Sequence, residues 1–172
     1  KMPNLKYFTK IGKVGQVKLS ADRLDPSPDT ALLNLLGYDA DKIYTGRGPL
    51  EAKAKDVPVS SSDVVFRCNL IASDGETLID YSAGHVTNEE AMTLMALVEK
   101  KLSTTRLKFY PGVQYRHILV WKDDETPLRL KCNAPHDVMG RKIKDVLPQG
   151  EKQVVLQSLI WDSMELLDNH DV

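Results

Sequence analysis

Apolar positions in the first third of the chain recur at spacings that predict short elements separated by polar turns. Apolar residues about three positions apart predict a helix over residues 4–11. The next apolar positions predict a short strand over residues 14–19. Residues 22–29 hold three acids and two prolines and predict a loop, after which Asp29 and Thr30 cap a short helix.

The remaining two thirds of the chain alternate between strand and helix periodicity. Residues 73–76 have the composition of a hairpin turn, and Thr87 and Glu90 form a capping box that starts a helix with one apolar stripe. The predicted elements are strands over residues 64–72, 77–81, 106–110, 115–121 and 128–132, and helices over residues 87–102 and 152–167. Because hairpins pair strands antiparallel, this order predicts an α+β fold of α/β layers, with a mostly antiparallel sheet and helices on one face.

A stretch rich in serine and valine at residues 57–62 predicts a domain boundary. Residues 1–56 are predicted to be a partial segment of a larger α/β core, because their strand, loop and helix lack the other strands of a sheet. Residues 57–172 are predicted to form the α+β domain. The chain opens on Lys1 and runs straight into a helical pattern, so we expect it to be an excised piece of a longer protein.

Composition narrows the classes of function. The chain has 172 residues, 42% of them hydrophobic, and 23 Lys and Arg against 24 Asp and Glu give a net charge of −1. This balance is typical of a globular protein and argues against nucleic-acid or acidic-membrane binding, which needs a basic excess. No apolar run approaches the roughly 20 residues that span a bilayer. We therefore expect a cytoplasmic protein without nucleic-acid or membrane partners.

The most pointed local motif is Thr45-Gly46-Arg47-Gly48-Pro49, called here the Gly-Arg-Gly turn. Its glycines allow backbone amides to approach an anion, and the guanidinium offers a planar fork to a phosphate or carboxylate. The proline is predicted to open a helix whose N-terminal dipole also favours an anion. The alternative is a tight turn with a solvated arginine.

Charged and imidazole side chains recur at three later places. Arg67 interrupts an apolar strand and points to the face opposite its flanking residues. Arg116 and His117 open another strand, where His117 is expected to titrate near neutral pH. His136 and Asp137 follow a proline and are expected in a loop. Each has a structural alternative: Arg67 forms a salt bridge on the sheet, His117 is a structural residue with its hydrogen bonds made, and His136 and Asp137 form an Asx-type turn. With the Gly-Arg-Gly turn, these residues are candidates to converge on a small anion.

The spacing of the histidines and cysteines in the sequence matches neither a metal site nor a disulfide framework. The four histidines form no HxH, HExxH or HxxxH pattern. Cys68 and Cys132 are too few for a disulfide framework and form no CxxC pair, so we expect neutral thiols.

Several separate blocks, in order along the chain, carry a resemblance to a known family. They are DTALLNLLGYD at residues 29–39, YTGRGPLEA at 44–52, FRCNL at 66–70, DYSAGH at 80–85, FYPGV at 109–113, YRH at 115–117, and PHD at 135–137 followed by Gly140. These blocks resemble archaeal-type cofactor-independent (2,3-bisphosphoglycerate-independent) phosphoglycerate mutases of the alkaline phosphatase superfamily. The resemblance runs almost from end to end.

The resemblance implies an isomerase that interconverts 3-phosphoglycerate and 2-phosphoglycerate through a phosphoserine intermediate in glycolysis and gluconeogenesis. It implies two divalent metal ions, manganese or magnesium, in an alkaline-phosphatase-like core, and no 2,3-bisphosphoglycerate. By the same resemblance this chain holds the inserted substrate domain and the segment that bears the nucleophile. The metal ligands, with Ser27 as the one candidate inside this chain, and the missing core halves are then expected outside residues 1–172, and the isolated chain is expected to be inactive.

The resemblance also assigns candidate site residues. The family places its nucleophilic serine directly before an acidic residue, whereas here Pro28 stands in that register and Ser27 lies one residue earlier. Two alternatives follow: Ser27 is the catalytic nucleophile in a shifted loop, or the nucleophile is lost. The candidates for binding phosphoglycerate are Arg47, Arg67, Arg116, His117, His136 and Asp137.

Two other functions stay open at this point. Pro28 favours a non-catalytic anion-binding module, since proline lacks the backbone N–H that contacts a phosphate. The second open function is a different metal-dependent phosphotransferase or phosphohydrolase on the same scaffold, which would be distinguished by the phosphorylated compound that it binds.

Overall fold

The computed structural model describes residues 2–24 and 26–168, which divide into two units. Lys1–Thr45 form the N-terminal unit, and Gly46–Val172 form the C-terminal unit. The domain boundary predicted at residues 57–62 stays a prediction. Within the described ranges, no helix is both long enough and apolar enough to cross a bilayer.

The N-terminal unit contains three helices: α1 (Pro3–Ile11), α2 (Pro28–Leu35) and α3 (Ala40–Ile43). Helix α1 confirms the first predicted helix. Helix α2 begins earlier than predicted, because Ser27 and not Asp29 is its N-cap: the Ser27 hydroxyl accepts a hydrogen bond from the Thr30 N–H at 3.4 Å. Proline is well suited to the first helical position, since its missing N–H has no intrahelical partner there.

The strand predicted over residues 14–19 is wrong. These residues lie in no regular element, and Val14 and Val17 are 73% and 75% exposed. A strand needs partners for its backbone N–H and C=O groups, and among the described residues of this unit there is no second strand to supply them.

The loop predicted before α2 is held by hydrogen bonds from the backbone to one carboxylate. Asp41 accepts the N–H groups of Asp22 and Arg23, both at 2.8 Å, and these bonds lower the pKa of Asp41. Asp25, in the middle of the predicted loop, lies outside the described residues.

The C-terminal unit is built on a three-stranded antiparallel sheet in the order β1-β5-β4, with a separate two-stranded ribbon, β2-β3. The strands are β1 (Val64–Asn69), β2 (Ala72–Ser73), β3 (Leu78–Asp80), β4 (Leu107–Val113) and β5 (Arg116–Trp121). The central strand β5 is buried along nearly its whole length. The predicted α+β fold and its antiparallel hairpins are confirmed.

Helix α5 (Asn88–Leu102) forms as its sequence predicts. The Thr87 hydroxyl accepts the Glu90 N–H at 3.3 Å, and the Glu90 carboxylate accepts the Thr87 N–H at 2.8 Å, which completes the capping box. The apolar stripe of α5 packs on the sheet through its buried members Ala91, Met95 and Val98.

Helices pack on both faces of the three-stranded sheet. On one face, α5 and α7 (Gln153–Asp168) share a core with Leu119 and Trp121 of β5. On the other face, Ala52 of α4 (Arg47–Ala54) packs against Ile118 and Val120. The expectation of helices on one face of the sheet is therefore wrong, because α4 is short and carries no clear apolar period that would reveal a second helical layer.

The helix predicted to open at Pro49 begins two residues earlier, at Arg47. Gly46 is its N-cap and has a φ of 123°, a conformation that L-amino acids other than glycine rarely adopt. Arg47, Gly48 and Pro49 of the Gly-Arg-Gly turn therefore form the start of α4 itself.

The strand predicted over residues 128–132 is wrong. Thr126–Arg129 form a 3₁₀ turn, and Lys131 makes only an isolated bridge to Gln149. The buried Pro127 has a fixed φ and no backbone N–H, which suits the start of a helical turn better than a strand. The short helix α6 (Ile143–Val146) follows.

Candidate functional site

Arg67 and Arg116 lie on one face of the sheet, the face that α4 partly covers. Arg67 is two positions from Val65 and Arg116 two positions from Ile118, and both apolar residues pack in the core under α4. In the antiparallel register Arg67 faces Ile118, so Arg67 and Arg116 are diagonal neighbours. Diagonal neighbours lie about 7–8 Å apart at their backbones, within reach of two long side chains.

Arg47 is carried to the same region by the close approach of α4 to β1. A Cβ atom added to Gly48 would lie 2.5 Å from the Val65 carbonyl oxygen and 3.1 Å from the Arg67 nitrogen. Only glycine permits this approach, which sets the first turn of α4 against the backbone of Arg67. The structure thus places the backbone at Arg47 near that of Arg67, which is a diagonal neighbour of Arg116.

Two of these guanidinium groups hold buried donors that lack partners. Within residues 2–24 and 26–168, no hydrogen-bond partner is present for the Nε atoms of Arg67 and Arg116. Arg67 Nη1 lies 3.6 Å from Glu51 Oε1, which confirms the salt-bridged arginine but leaves its Nε unsatisfied. Buried unpaired donors are uncommon and each costs about 1–3 kcal/mol. The arrangement therefore favours a ligand with several anionic oxygens.

An aromatic bridge connects Arg116 to the loop of His136 and Asp137. The Arg116 guanidinium carbon lies 5.5 Å from the centre of the Tyr115 ring, a cation–π distance. The Tyr115 ring meets the Tyr81 ring edge-on at 5.6 Å, and Tyr81 meets the His136 imidazole at 6.3 Å. This contact chain joins two regions that are far apart in sequence.

His136 and Asp137 occupy a 3₁₀ turn, Pro135–Asp137, as the predicted loop position requires. His136 Nε2 lies 3.4 Å from Asp137 Oδ1, and the two side chains are 53% and 69% exposed. The imidazole and the carboxylate are therefore both presented to solvent.

His117 faces the opposite side of the sheet from the arginines. Its position two residues before Leu119 places it on the α5 face, where it is 1% exposed. His117 Nδ1 accepts the Gly112 N–H at 3.0 Å, so the neutral ring carries its proton on Nε2. Burial lowers the pKa of His117 to about 4. The expectation that His117 titrates near neutral pH is therefore wrong.

The His117 ring also lines an apolar cavity of about 870 Å³ between the sheet and α7. Among the described residues, His117 Nε2 has no hydrogen-bond partner. Cys68 lines the same cavity, and burial raises the pKa of its thiol to about 12. The thiol is therefore neutral, as predicted.

Ser27 belongs to the N-terminal unit, where it is half-buried at the N-terminus of α2. Its hydroxyl also lies 3.3 Å from the Thr30 hydroxyl. Asp29, in the first turn, accepts a hydrogen bond from the Tyr44 hydroxyl at 2.9 Å. The N-terminal end of a helix favours negative charge, so this position suits a group that becomes anionic.

The described residues do not by themselves form a site for two metal ions. In that part of the chain, no three His, Cys, Asp or Glu side chains lie together where they would hold a cation. A site of the kind that the resemblance implies requires several such ligands around each ion. The residues that the structure describes therefore do not fit a complete two-metal site.

Tyr81 and Tyr115 lie between the candidates Arg116 and His136, and the sequence did not nominate them. Both lie inside blocks of the resemblance, and Tyr115 also directly precedes the candidate Arg116; this was the available signal. Their partnership depends on the approach of the β3 turn to the start of β5, which no local pattern reveals.

Comparison with known proteins now decides the family. The family model described as 2,3-bisphosphoglycerate-independent phosphoglycerate mutase matches residues 9–172. The chain belongs to this family. A 2,3-bisphosphoglycerate-independent phosphoglycerate mutase of Methanosarcina barkeri is 41% identical over 170 residues, which are 99% of this chain and 42% of that protein. A probable mutase of the same name from Geobacter sulfurreducens is 37% identical over 172 residues, 98% of this chain and 43% of that protein.

A solved mutase structure supports the fold. The cofactor-independent phosphoglycerate mutase of Thermoplasma acidophilum superposes with a TM-score of 0.60 at 24% identity, over 83% of this chain and 40% of that one. The chain therefore spans less than half the length of the mutases that it matches.

Proposed function

We propose that this chain is the substrate-holding part of a phosphoglycerate mutase that interconverts 3-phosphoglycerate and 2-phosphoglycerate in glycolysis and gluconeogenesis. Membership of the mutase family over residues 9–172 supports this proposal. Residues 57–172 are the inserted substrate domain in this proposal, and residues 1–56 are a segment of an alkaline-phosphatase-like core. The rest of that core belongs to the longer protein.

The observation that carries the proposal is the pair of buried, unpartnered Nε donors of Arg67 and Arg116 on one sheet face, for which residues 2–24 and 26–168 offer no acceptor. Phosphoglycerate presents a phosphate and a carboxylate, two groups that accept bidentate hydrogen bonds from guanidinium forks. A mutase must hold glycerate while it turns between two orientations. Two neighbouring arginines, with Arg47 beside them at a helix N-terminus, supply enough donors to hold both ends.

The remaining candidates take different parts in the proposed site. His136 and Asp137 are exposed and reach the substrate from the edge, where they close one side of the site. His117 acts indirectly, because it accepts the Gly112 N–H and so fixes the turn that precedes Arg116. At neutral pH it is uncharged, because burial lowers its pKa to about 4, and it does not attract the phosphate.

Ser27 is the proposed nucleophile. Its Oγ forms a bond to phosphorus as the bond between phosphorus and the O3 atom of 3-phosphoglycerate breaks. The serine proton leaves Oγ and a proton is gained at O3, which gives phosphoserine and glycerate. After glycerate turns, its O2 hydroxyl loses its proton and bonds to phosphorus as the bond between phosphorus and Ser27 Oγ breaks. A proton returns to Oγ, which gives 2-phosphoglycerate and the free serine. The helix N-terminus at Ser27 favours the charge of the phosphoserine.

We place the ligands of the two divalent ions, manganese or magnesium, in the rest of the longer protein, and we expect no need for 2,3-bisphosphoglycerate. Location in the cytoplasm is part of the same proposal. A non-catalytic anion-binding module is the second candidate, and Pro28 at the first position of α2 is the observation that favours it.

The test is a coupled mutase assay on the full-length protein with Mn²⁺, with a chelator, and with two substitutions at Ser27. Ser27→Asn retains an N-cap but removes the nucleophile, whereas Ser27→Ala removes both. We expect metal-dependent turnover that both variants abolish. Turnover that survives in either variant would move the nucleophile elsewhere, and no turnover in the wild-type protein would favour the binding module.

A further inference from the structure

Tyr81 makes ring contacts with two residues that flank the proposed substrate site. The centre of its ring lies 5.6 Å from that of Tyr115 at an interplanar angle of 83°, and 6.3 Å from the His136 imidazole at 71°. Both are edge-to-face arrangements, the geometry that aromatic rings prefer. Tyr81 therefore lies between the start of β5 and the 3₁₀ turn of His136.

The backbone that carries Tyr81 is held by a dense set of hydrogen bonds. The Asp80 carboxylate accepts the Ser82 N–H at 3.0 Å, the Ser82 hydroxyl at 2.8 Å and the Gly84 N–H at 2.7 Å. These bonds lower the pKa of Asp80, and Ser82 is 1% exposed. The turn after β3 is thus a fixed base for the Tyr81 ring.

Tyr115 is fixed in the same way at the other end of the contact. Its carbonyl oxygen accepts the Leu70 N–H at 2.9 Å, and the neighbouring Gln114 N–H is accepted by Asn88 at 2.8 Å. The Arg116 guanidinium lies over the Tyr115 ring. The position of Arg116 is thereby coupled to that of Tyr81.

His136, by contrast, is exposed. Its Nε2 lies 3.4 Å from Asp137, itself exposed, and its ring contacts the Tyr81 ring. Of these two contacts, the one with Tyr81 joins the imidazole to the hydrogen-bonded turn after β3.

We propose that Tyr81 is a positioning residue that holds His136 at a fixed distance from Arg116 through the Tyr115 ring. The inference rests on the proposed mutase function for its kinetic consequence. Its structural consequence, the fixed imidazole, is independent of that function.

The experiment uses the full-length protein with Tyr81→Leu, Tyr81→Phe, His136→Ala and the double variant of Tyr81→Leu with His136→Ala. Tyr81→Phe keeps the ring and is the matched control. We expect Tyr81→Leu to raise the KM for 3-phosphoglycerate about two- to tenfold, the fold-change that corresponds to one lost aromatic pair, with kcat little changed. The double variant is expected to raise the KM by less than the product of the two single effects, because the part of the Tyr81 effect that acts through His136 is already lost in His136→Ala. Tyr81→Phe is expected to behave as wild type.

A second readout separates this inference from the proposed function. The ring current of Tyr81 shifts the imidazole proton resonances of His136, and we expect that shift to vanish in Tyr81→Leu and to persist in Tyr81→Phe. An unchanged His136 spectrum in Tyr81→Leu overturns the inference, as does full additivity in the double variant. If wild-type protein fails to turn over phosphoglycerate, the proposed function fails and the spectra alone decide on Tyr81. If Tyr81→Leu does not fold, Tyr81→Met replaces it in both measurements.

Discussion

Gly48 lies against the backbone of Val65 so closely that α4 and β1 meet without any side chain between them. An added Cβ would stand 2.5 Å from the Val65 carbonyl oxygen. In an exposed helix interior, replacement of glycine by alanine stabilises by about 1 kcal/mol. At Gly48 we expect the same substitution to lower stability, because the extra methyl group must push α4 away from the sheet face that carries Arg67 and Arg116.

We therefore expect Gly48→Ala to lower the midpoint of urea unfolding and to weaken binding of phosphoglycerate. Gly15→Ala is the matched control, since nothing lies within 4 Å of its added Cβ among the described residues. It is expected to leave both properties unchanged. A Gly48→Ala protein as stable as wild type would show that the contact is looser than the structure indicates.

The capping box of α5 gives a second prediction. Thr87→Ala removes the hydroxyl that accepts the Glu90 N–H, and we expect it to lower the free energy of unfolding by about 1 kcal/mol. Thr93→Ala makes the same substitution on the exposed face of the same helix and is expected to cost much less. Equal losses in the two variants, measured by urea unfolding, would argue against the capping box.

The buried imidazole of His117 predicts how stability depends on pH. Its pKa is about 4 in the folded protein and about 6.5 in the unfolded chain, so the unfolded state binds more protons between these values. The contribution of neutral His117 to the free energy of unfolding is therefore fully present above pH 6.5 and is lost as the pH falls towards 4. The loss is on the order of 3 kcal/mol.

The measurement is an NMR titration of the imidazole protons, with urea unfolding at pH 7.5 and 5. We expect His117 to remain neutral at pH 5. A His117→Gln variant is expected to lose less stability between pH 7.5 and 5 than the wild type does. Titration of His117 near 6.5 would contradict the burial on which this prediction rests.

Local signals in the sequence were sufficient where an element stabilises itself. The capping box and apolar stripe of α5 and the hairpin turn at residues 73–76 each specify their structure through neighbours in sequence. The two wrong strands, at residues 14–19 and 128–132, failed because a strand depends on partners that a local pattern cannot show. Helix α4 was placed two residues late, since its start depends on the unusual φ of Gly46.

In the candidate site, too, some features follow from local sequence and others depend on tertiary contacts. Residue type was enough to nominate Arg67 and Arg116, and strand alternation placed Arg67 opposite its flanking residues. That the two arginines share a face depends on the strand register, which the sequence did not predict. The burial of His117 depends on α5 and α7 covering the other face, and the bridge through Tyr81 depends on a turn that is distant in sequence. Tertiary contacts of this kind cannot be read from periodicity.

Titration calorimetry of the full-length protein with 3-phosphoglycerate tests most directly whether the sheet face that carries Arg67 and Arg116 binds phosphoglycerate. We compare wild type with Arg116→Lys and, as a matched control, with Arg106→Lys, whose side chain is exposed outside the site. Lysine keeps the charge but loses the planar fork, so we expect Arg116→Lys to weaken binding about 10- to 100-fold and Arg106→Lys to leave it unchanged. Equal affinity in all three proteins, or no binding by the wild type, would contradict the account.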